Sequence, residues 1–284
     1  MINVNNLFYT YPDAENQTIK NLNFTIKKGE IFGLLGPSGA GKTTTQKILL
    51  GILKNYQGNI IFNGHEMRRI KPVFYEDIGV MFEFPNFFTK LTGLENLNFF
   101  ASLYASQTTA PYELLEMVGL EDHGDMLVEN YSKGMKTRIN FVRALLNNPD
   151  ILFLDEPTTG LDPANQKNIK EIICRQKDKG KTIFLTTHNM TVADEVCDRV
   201  AFITDGQINL IDSPKQLKIA NGQKKVKVEY IQNSKLSSRS FRLNNIGNNK
   251  EFLKLIKSKK IETIHSQEAT LEDVFIQKTG KELR

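Results

Sequence analysis

Two segments of this chain carry side chains suited to handling a polyphosphate. Gly36-Pro37-Ser38-Gly39-Ala40-Gly41-Lys42-Thr43 holds the spacing G-x-x-x-x-G-K-S/T, after the apolar run Ile31–Leu35 and before helix-forming sequence. Its glycines let the backbone curl until successive N–H groups, through Thr44, face one anion, and the helix N-terminus adds positive dipole character. Lys42 would reach the β- and γ-phosphates, and the Thr43 hydroxyl would ligate Mg²⁺. The second segment, Ile151-Leu152-Phe153-Leu154-Asp155-Glu156-Pro157, is a hydrophobic strand ending on two carboxylates. Its C-terminal end is where α/β sheets bind ligands, so Asp155 suits a contact to Mg²⁺. Glu156 is then positioned to orient and deprotonate a water attacking the γ-phosphate.

The sequence around these segments predicts an α/β chain. Leu22–Ile26 alternates at period 2, Gly58–Gly64 is a strand bracketed by turn residues, and Ile183–Thr186 and Val200–Thr204 read as buried strands. Thr43–Leu53 and the stretch after Pro163 carry helical spacing, with Pro163 suited to a first helical turn. Residues 93–148 turn helical throughout, with Leu94, Leu97 and Ala101, then Leu114, Leu115 and Val118, on common faces.

With these segments in order, the chain resembles the ATP-binding cassette of ABC transporters. That resemblance implies a P-loop NTPase with a RecA-like core, an antiparallel β subdomain and a helical subdomain. Tyr131-Ser132-Lys133-Gly134-Met135-Lys136 occupies the place of the family signature LSGGQ. There Ser132, Lys133, Gly134 and Met135 would meet the γ-phosphate of an ATP held by another subunit. Lys133 and Met135 replace the family's glycine and glutamine. Thr159-Gly160-Leu161-Asp162 resembles the D-loop, whose Asp162 would communicate between two ATP sites. Leu185-Thr186-Thr187-His188 resembles the H-loop, in which His188 contacts the γ-phosphate. Tyr11, ahead of the second strand, stands where the family stacks an aromatic on adenine. Glu83 stands where the family has a glutamine, and an anionic oxygen there suits Mg²⁺ while repelling phosphates that lack it. The resemblance thus implies catalytic Lys42, Glu156 and His188, metal ligands Thr43, Asp155 and Glu83, and ATP with Mg²⁺ as substrate and cofactor.

Charge divides the chain. Its 284 residues carry a net +5, yet residues 218–284 hold 15 Lys and Arg against 7 Asp and Glu, and residues 1–217 hold 22 against 25. With the breaker Asn221-Gly222-Gln223, this predicts an ATP-binding domain over 1–220 and a small basic α+β domain over 221–284. In the latter, Lys225–Tyr230 and Arg239–Leu243 read as strands. Phe252, Leu253, Leu255 and Ile256 mark an amphipathic helix, and Thr270 caps a last one. The ending Leu271-Glu272-Asp273-Val274-Phe275 resembles cassettes of exporters with a separate permease polypeptide.

No run approaches 18 apolar residues, mean hydropathy is −0.34, and the N-terminus leaves no room for a signal peptide. Two cysteines without CxxC spacing speak against a disulfide framework or zinc. The resemblance therefore implies a dimer of cassettes, identical or different, at the cytoplasmic face of a membrane, docked to a permease through the segment Glu83–Leu97, where Phe84, Phe87 and Phe88 are either contacts or core. The tail's lysines suit anionic lipid headgroups. A soluble cassette ATPase acting on ribosomes or nucleic acid is the competing reading. The single copy of each motif, the absence of sustained heptads and a tail without interleaved aromatics argue against it. A small-molecule phosphotransferase would leave the signature, D-loop and H-loop positions unexplained.

Overall fold

A computed structural model describes residues 2–221, 225–232, 235–267 and 269–281. It separates at Ser213 and Pro214 into two units.

The first unit opens with β1 (Ile2–Tyr9) and β2 (Ile19–Ile26), whose buried Ile2, Val4, Leu7, Leu22 and Ile26 face one side. After β3 (Ile31–Leu35) and α1 (Lys42–Leu49), β4 (Gln57–Phe62) and β5 (His65–Glu66) complete an antiparallel sheet of order β2-β1-β4-β5. Helix α1 ends before the apolar spacing through Leu53 predicts. Gly51 adopts φ 67, and its N–H bonds Ile48 O at 2.9 Å, which closes the helix.

β6 (Ile78–Met81) leads into the helical insertion of α2 (Gly93–Ala101), α3 (Pro111–Met117) and α4 (Lys133–Arg143). Thr92 and Glu95 form a capping box on α2. Asn96, fully buried, fixes the approach to it by accepting the Phe88 N–H at 2.9 Å and donating to Thr92 O at 2.8 Å. β7 (Ile151–Asp155), α5 (Pro163–Asp178), β8 (Thr182–Thr187), α6 (Met190–Val196), β9 (Arg199–Thr204) and β10 (Gln207–Asp212) follow. The second sheet has the order β10-β9-β3-β8-β7-β6, parallel except for β10. β3, β7 and β8 are buried at every position, which is why they read as unbroken apolar runs.

An aromatic column ties the two sheets together. Phe24 of the first stacks on Phe32 of the second at 5.4 Å, and Phe184 continues to Phe153 at 5.7 Å. Each such burial contributes about 2–3 kcal/mol, so the strands bearing Asp155 and Thr187 are held from beneath.

The second unit holds α7 (Pro214–Asn221), β11 (Lys225–Gln232), β12 (Lys235–Arg242), α8 (Lys250–Ser258), β13 (Lys260–Gln267) and α9 (Leu271–Thr279). Its antiparallel sheet has the order β12-β11-β13. Val226, Val228, Tyr230, Phe241 and Leu255 form its core, with Phe252 at 5.4 Å from Phe241. Lys250, Lys254 and Lys257, spaced along one exposed stripe of α8, lie opposite that core. Gly222 and Gln223 of the expected breaker, with Lys224 after them, lie outside the described residues. Helix α7 packs on α9 and so goes with this unit. Among the described residues, no helix is long and apolar enough to cross a membrane.

Candidate functional site

Adjacent strands deliver the charged residues to one place. Leu35 pairs with Thr187 and Asp155 with Thr186, so β3, β8 and β7 end side by side. The loop 36–41 leaves the first of them, His188 the second and Glu156 the third. Around these ends lies a cleft of about 420 Å³. Ser38, Gly39, Gly41, Lys42, Thr43 and Thr44 line it from the loop side, and Glu83, Asp155, Glu156 and His188 face them, with Thr18 as a further neighbour.

The loop is shaped by backbone that a side chain would obstruct. Gly41, the N-cap of α1, has φ 105, and a Cβ there would fall 2.7 Å from Ile19 Cδ1. Lys42 Nζ donates to Gly36 O at 2.7 Å and Pro37 O at 2.9 Å. Its side chain is only 8% exposed; burial lowers its pKa, while Glu156, Asp155 and Glu83 oppose that shift.

Asp155 is 1% exposed. Its carboxylate accepts the Thr43 hydroxyl at 2.9 Å and the Thr186 hydroxyl on its other oxygen. Burial pushes its pKa up against the pull of these two donors. Glu83, two residues beyond β6, has its pKa raised by burial and then by Asp155 and Glu156. Three carboxylates therefore share one electrostatic environment with a single buried lysine.

Glu156 takes φ 51, an uncommon backbone for a residue with a long side chain. Its carboxylate is held on both oxygens. Oε2 accepts the Thr187 hydroxyl at 2.9 Å, and Oε1 accepts the His188 N–H at 2.9 Å and meets His188 Nδ1 at 2.7 Å. A neutral His188 donating from Nδ1 would leave Nε2 as an acceptor on a half-exposed ring. The motifs assign no role to the two threonines ahead of His188. Each meets one carboxylate, Thr186 that of Asp155 and Thr187 that of Glu156.

Tyr11 and the signature and D-loop residues do not line the cleft. Tyr11 Oη lies 3.2 Å from Thr44 Oγ1, and its ring meets Tyr9 edge-on at 5.0 Å. Ser132 is the N-cap of α4, accepting the Met135 N–H at 3.2 Å, with Lys133 and Gly134 opening the helix. Asp162 caps α5 through the Asn165 N–H at 3.0 Å and the Asn165 side chain at 2.6 Å, which together hold its pKa below the usual carboxylate range.

Comparison with known proteins adds to this geometry. Residues 19–159 match the ABC transporter family, and residues 224–268 match the fluoroquinolone efflux ABC transporter C-terminal domain. A fluoroquinolones export ATP-binding protein of Mycobacterium tuberculosis is 50% identical over 284 residues, covering 100% of this chain and 94% of that protein. The linearmycin resistance ATP-binding protein LnrL of Bacillus subtilis is 34% identical over 223 residues, covering 76% of this chain and 70% of that one. Among solved structures, the ATP-binding cassette MJ0796, dimeric in a post-hydrolysis state bound to ADP and Pi, superposes with a TM-score of 0.68 at 28% identity. It covers 75% of this chain and 98% of its own. Similar along its whole length to one such subunit, the chain belongs to the ABC transporter family, as an ATP-binding subunit that hydrolyses ATP.

Proposed function

We propose that the chain powers export of fluoroquinolones, or compounds of that class, through a separate membrane permease at the cytoplasmic face of the membrane. The observation that carries the catalytic part is the Glu156 carboxylate, held by Thr187 and His188 beside the Lys42 cleft. The loop N–H groups and Lys42 bind the phosphates of ATP, with Gly36–Thr44 as the cradle. Tyr11 supports the adenine. Glu156 orients the attacking water and accepts its proton, while His188 fixes the Glu156 rotamer and faces the γ-phosphate.

The donor set fits Mg²⁺. Asp155, Glu83 and the Thr43 hydroxyl offer hard oxygens, and Asp155 and Glu83 line one cleft with Thr43. Among the described residues, no three His, Cys, Asp or Glu side chains converge closely enough to hold a metal alone. When bound, Mg²⁺ neutralises charge on the β- and γ-phosphates.

Ser132, Lys133, Gly134 and Met135 complete the site of a second cassette, and Asp162 connects the two sites. One chain carries one copy of each motif, which supports a two-fold dimer exchanging them. The permease docks on the aromatic surface after Glu83. Phe84 and Phe88 are 77% and 50% exposed, while Phe87 and Phe100 pack under the Arg143 guanidinium at 5.2 and 4.9 Å. The similarity of residues 224–268 to an efflux C-terminal domain supports export over import. The lysine stripe of α8 suits an anionic lipid surface.

The test has two arms. A Glu156→Gln chain should trap an ATP-bound dimer without turnover; full ATPase activity would remove Glu156 from catalysis. Affinity purification from membranes should recover a polytopic protein, and recovery with ribosomes alone would favour the soluble alternative.

A further inference from the structure

Glu156 is gripped from a third direction. Thr159 Oγ1 donates to Glu156 Oε2 at 3.2 Å, and the Thr159 N–H closes a turn onto Glu156 O at 3.1 Å. Thr159 is itself held by the start of α4. The single hydroxyl proton of Thr137 is shared between Lys133 O at 3.1 Å and Thr159 O at 3.2 Å.

Two neighbours tighten this contact. The aliphatic stem of Lys133 lies across Gly160, where a Cβ would fall 2.9, 3.0 and 3.2 Å from Lys133 Cε, Cδ and Cγ. A Cβ on Gly134 would come 3.4 Å from Gly160 O. The long side chain at the family's glycine position therefore runs sideways over the D-loop backbone.

Thr159 shares Glu156 Oε2 with Thr187, its contact being the longer of the two at 3.2 against 2.9 Å, and a base misplaced by a fraction of an ångström loses rate steeply. We infer that Thr159 is a positioning residue for Glu156, and that Thr137 and Lys133 tie its placement to the first turn of α4. The segment that meets a partner's ATP is thereby coupled to the water-activating carboxylate of its own chain. This inference rests on the catalytic reading of Glu156 above.

Steady-state ATPase kinetics of the full-length chain test it. Thr159→Val removes the hydroxyl at nearly constant volume and should lower kcat about tenfold, the equivalent of one charge-assisted hydrogen bond, with KM for ATP within about twofold. Thr159→Ser should restore kcat to within about twofold of the parent, which a simple packing role for the threonine methyl would not allow. Thr137→Val should lower kcat about threefold, and the double variant should be no slower than Thr159→Val alone, since the two act in series.

Parent-like kcat in Thr159→Val overturns the inference, as do equal losses in the Ser and Val variants or multiplicative losses in the double. Thermal melting identifies a variant that fails to fold; Thr159→Ala then replaces Thr159→Val against the same serine rescue. Glu156→Gln separates the two readings. If it stays active, the catalytic assignment falls and this coupling with it; if it is inactive while Thr159→Val is not, the coupling alone falls.

Discussion

Lys42, Asp155 and Glu156 in the first unit are 8%, 1% and 6% exposed, and their polar atoms meet partners from the loop 36–41, from α1 and from β8. Lys250, Lys254, Lys257 and Lys259 in the second unit are exposed, and among the described residues none is paired with a carboxylate. The first arrangement fixes charge in position for chemistry, because buried ionised groups persist only where geometry compensates their desolvation. The second leaves charge mobile and screened, which suits diffuse attraction to a surface. Net charge by itself is therefore a poor guide to this molecule. The site sits in the acidic unit, and the +5 total comes from the other one.

Substitutions can break that contrast, beginning with the largest effect. On the proposed phosphate-binding role, Lys42→Ala should lower ATPase turnover at least about a hundredfold, since among the described residues no other lysine or arginine lines the cleft. Its melting temperature should stay near the parent's. A parent-like rate would show that burial of charge in the cleft is unrelated to turnover.

Core truncations should separate the two units by function. Phe153→Ala removes a fully buried ring under Asp155 and should cost about 3–5 kcal/mol together with most ATPase activity. Phe241→Ala in the small core of the second unit should melt that unit while the ATPase rate per folded cassette changes less than about twofold. Calorimetry alongside ATPase assays checks both, and equal activity losses would merge the units functionally.

Glu83 offers a finer test within the acidic site. Glu83→Gln removes an anion that repels phosphates unless a cation intervenes, so the ratio of ATP affinities with and without Mg²⁺ should narrow about fivefold. An unchanged ratio would leave Glu83 without a metal role.

Helix caps and surface charges give the smallest effects. Thr270→Ala breaks the capping box of α9 and should destabilise the second unit by about 1 kcal/mol with no change in turnover. Ser132→Ala should cost α4 a similar amount; a loss of turnover beyond that would support the signature role proposed for this cap. Lys254→Glu with Lys257→Glu should weaken sedimentation with vesicles containing anionic lipid by about 1 kcal/mol per charge changed, and only at low salt. Unchanged vesicle binding would return α8 to an ordinary solvated face.

The strands of the first unit were legible because continuous apolar runs and period-2 alternation both mark buried sheets. Ile31–Leu35 appears as a strand with those bounds, and the apolar run Ile151–Leu154 as a strand that takes in Asp155. β10 and β13 were not anticipated. β10 carries only Ile208, Leu210 and Ile211 among polar residues, and it forms because Asp205 and Gly206, both at positive φ, fold it back onto β9. β13 is an edge strand whose exposed polar residues leave little periodic signal, and its pairing with β11 comes from the sheet rather than from local preference. Lys42, Thr43, Asp155, Glu156 and His188 were singled out by motif and position, and they line one cleft. Thr159, Thr186 and Thr187 were not, since a threonine hydroxyl has no sequence pattern of its own.

The sequence alone determined the chemistry on offer: a glycine-rich loop with its lysine, a hydrophobic strand ending on two carboxylates, and a basic C-terminal region of separate character. It also determined faces, because side-chain period follows directly from residue order. Only the tertiary structure decided which of those groups meet. Thr43 reaches Asp155 across 112 residues because strand order β3-β8-β7 brings their ends level. The grip of α4 on Thr159, and of Thr159 on Glu156, likewise depends on two segments packing at one depth. Hydrogen bonds tolerate only a few tenths of an ångström, and no period along a chain encodes a distance that fine between residues far apart in it.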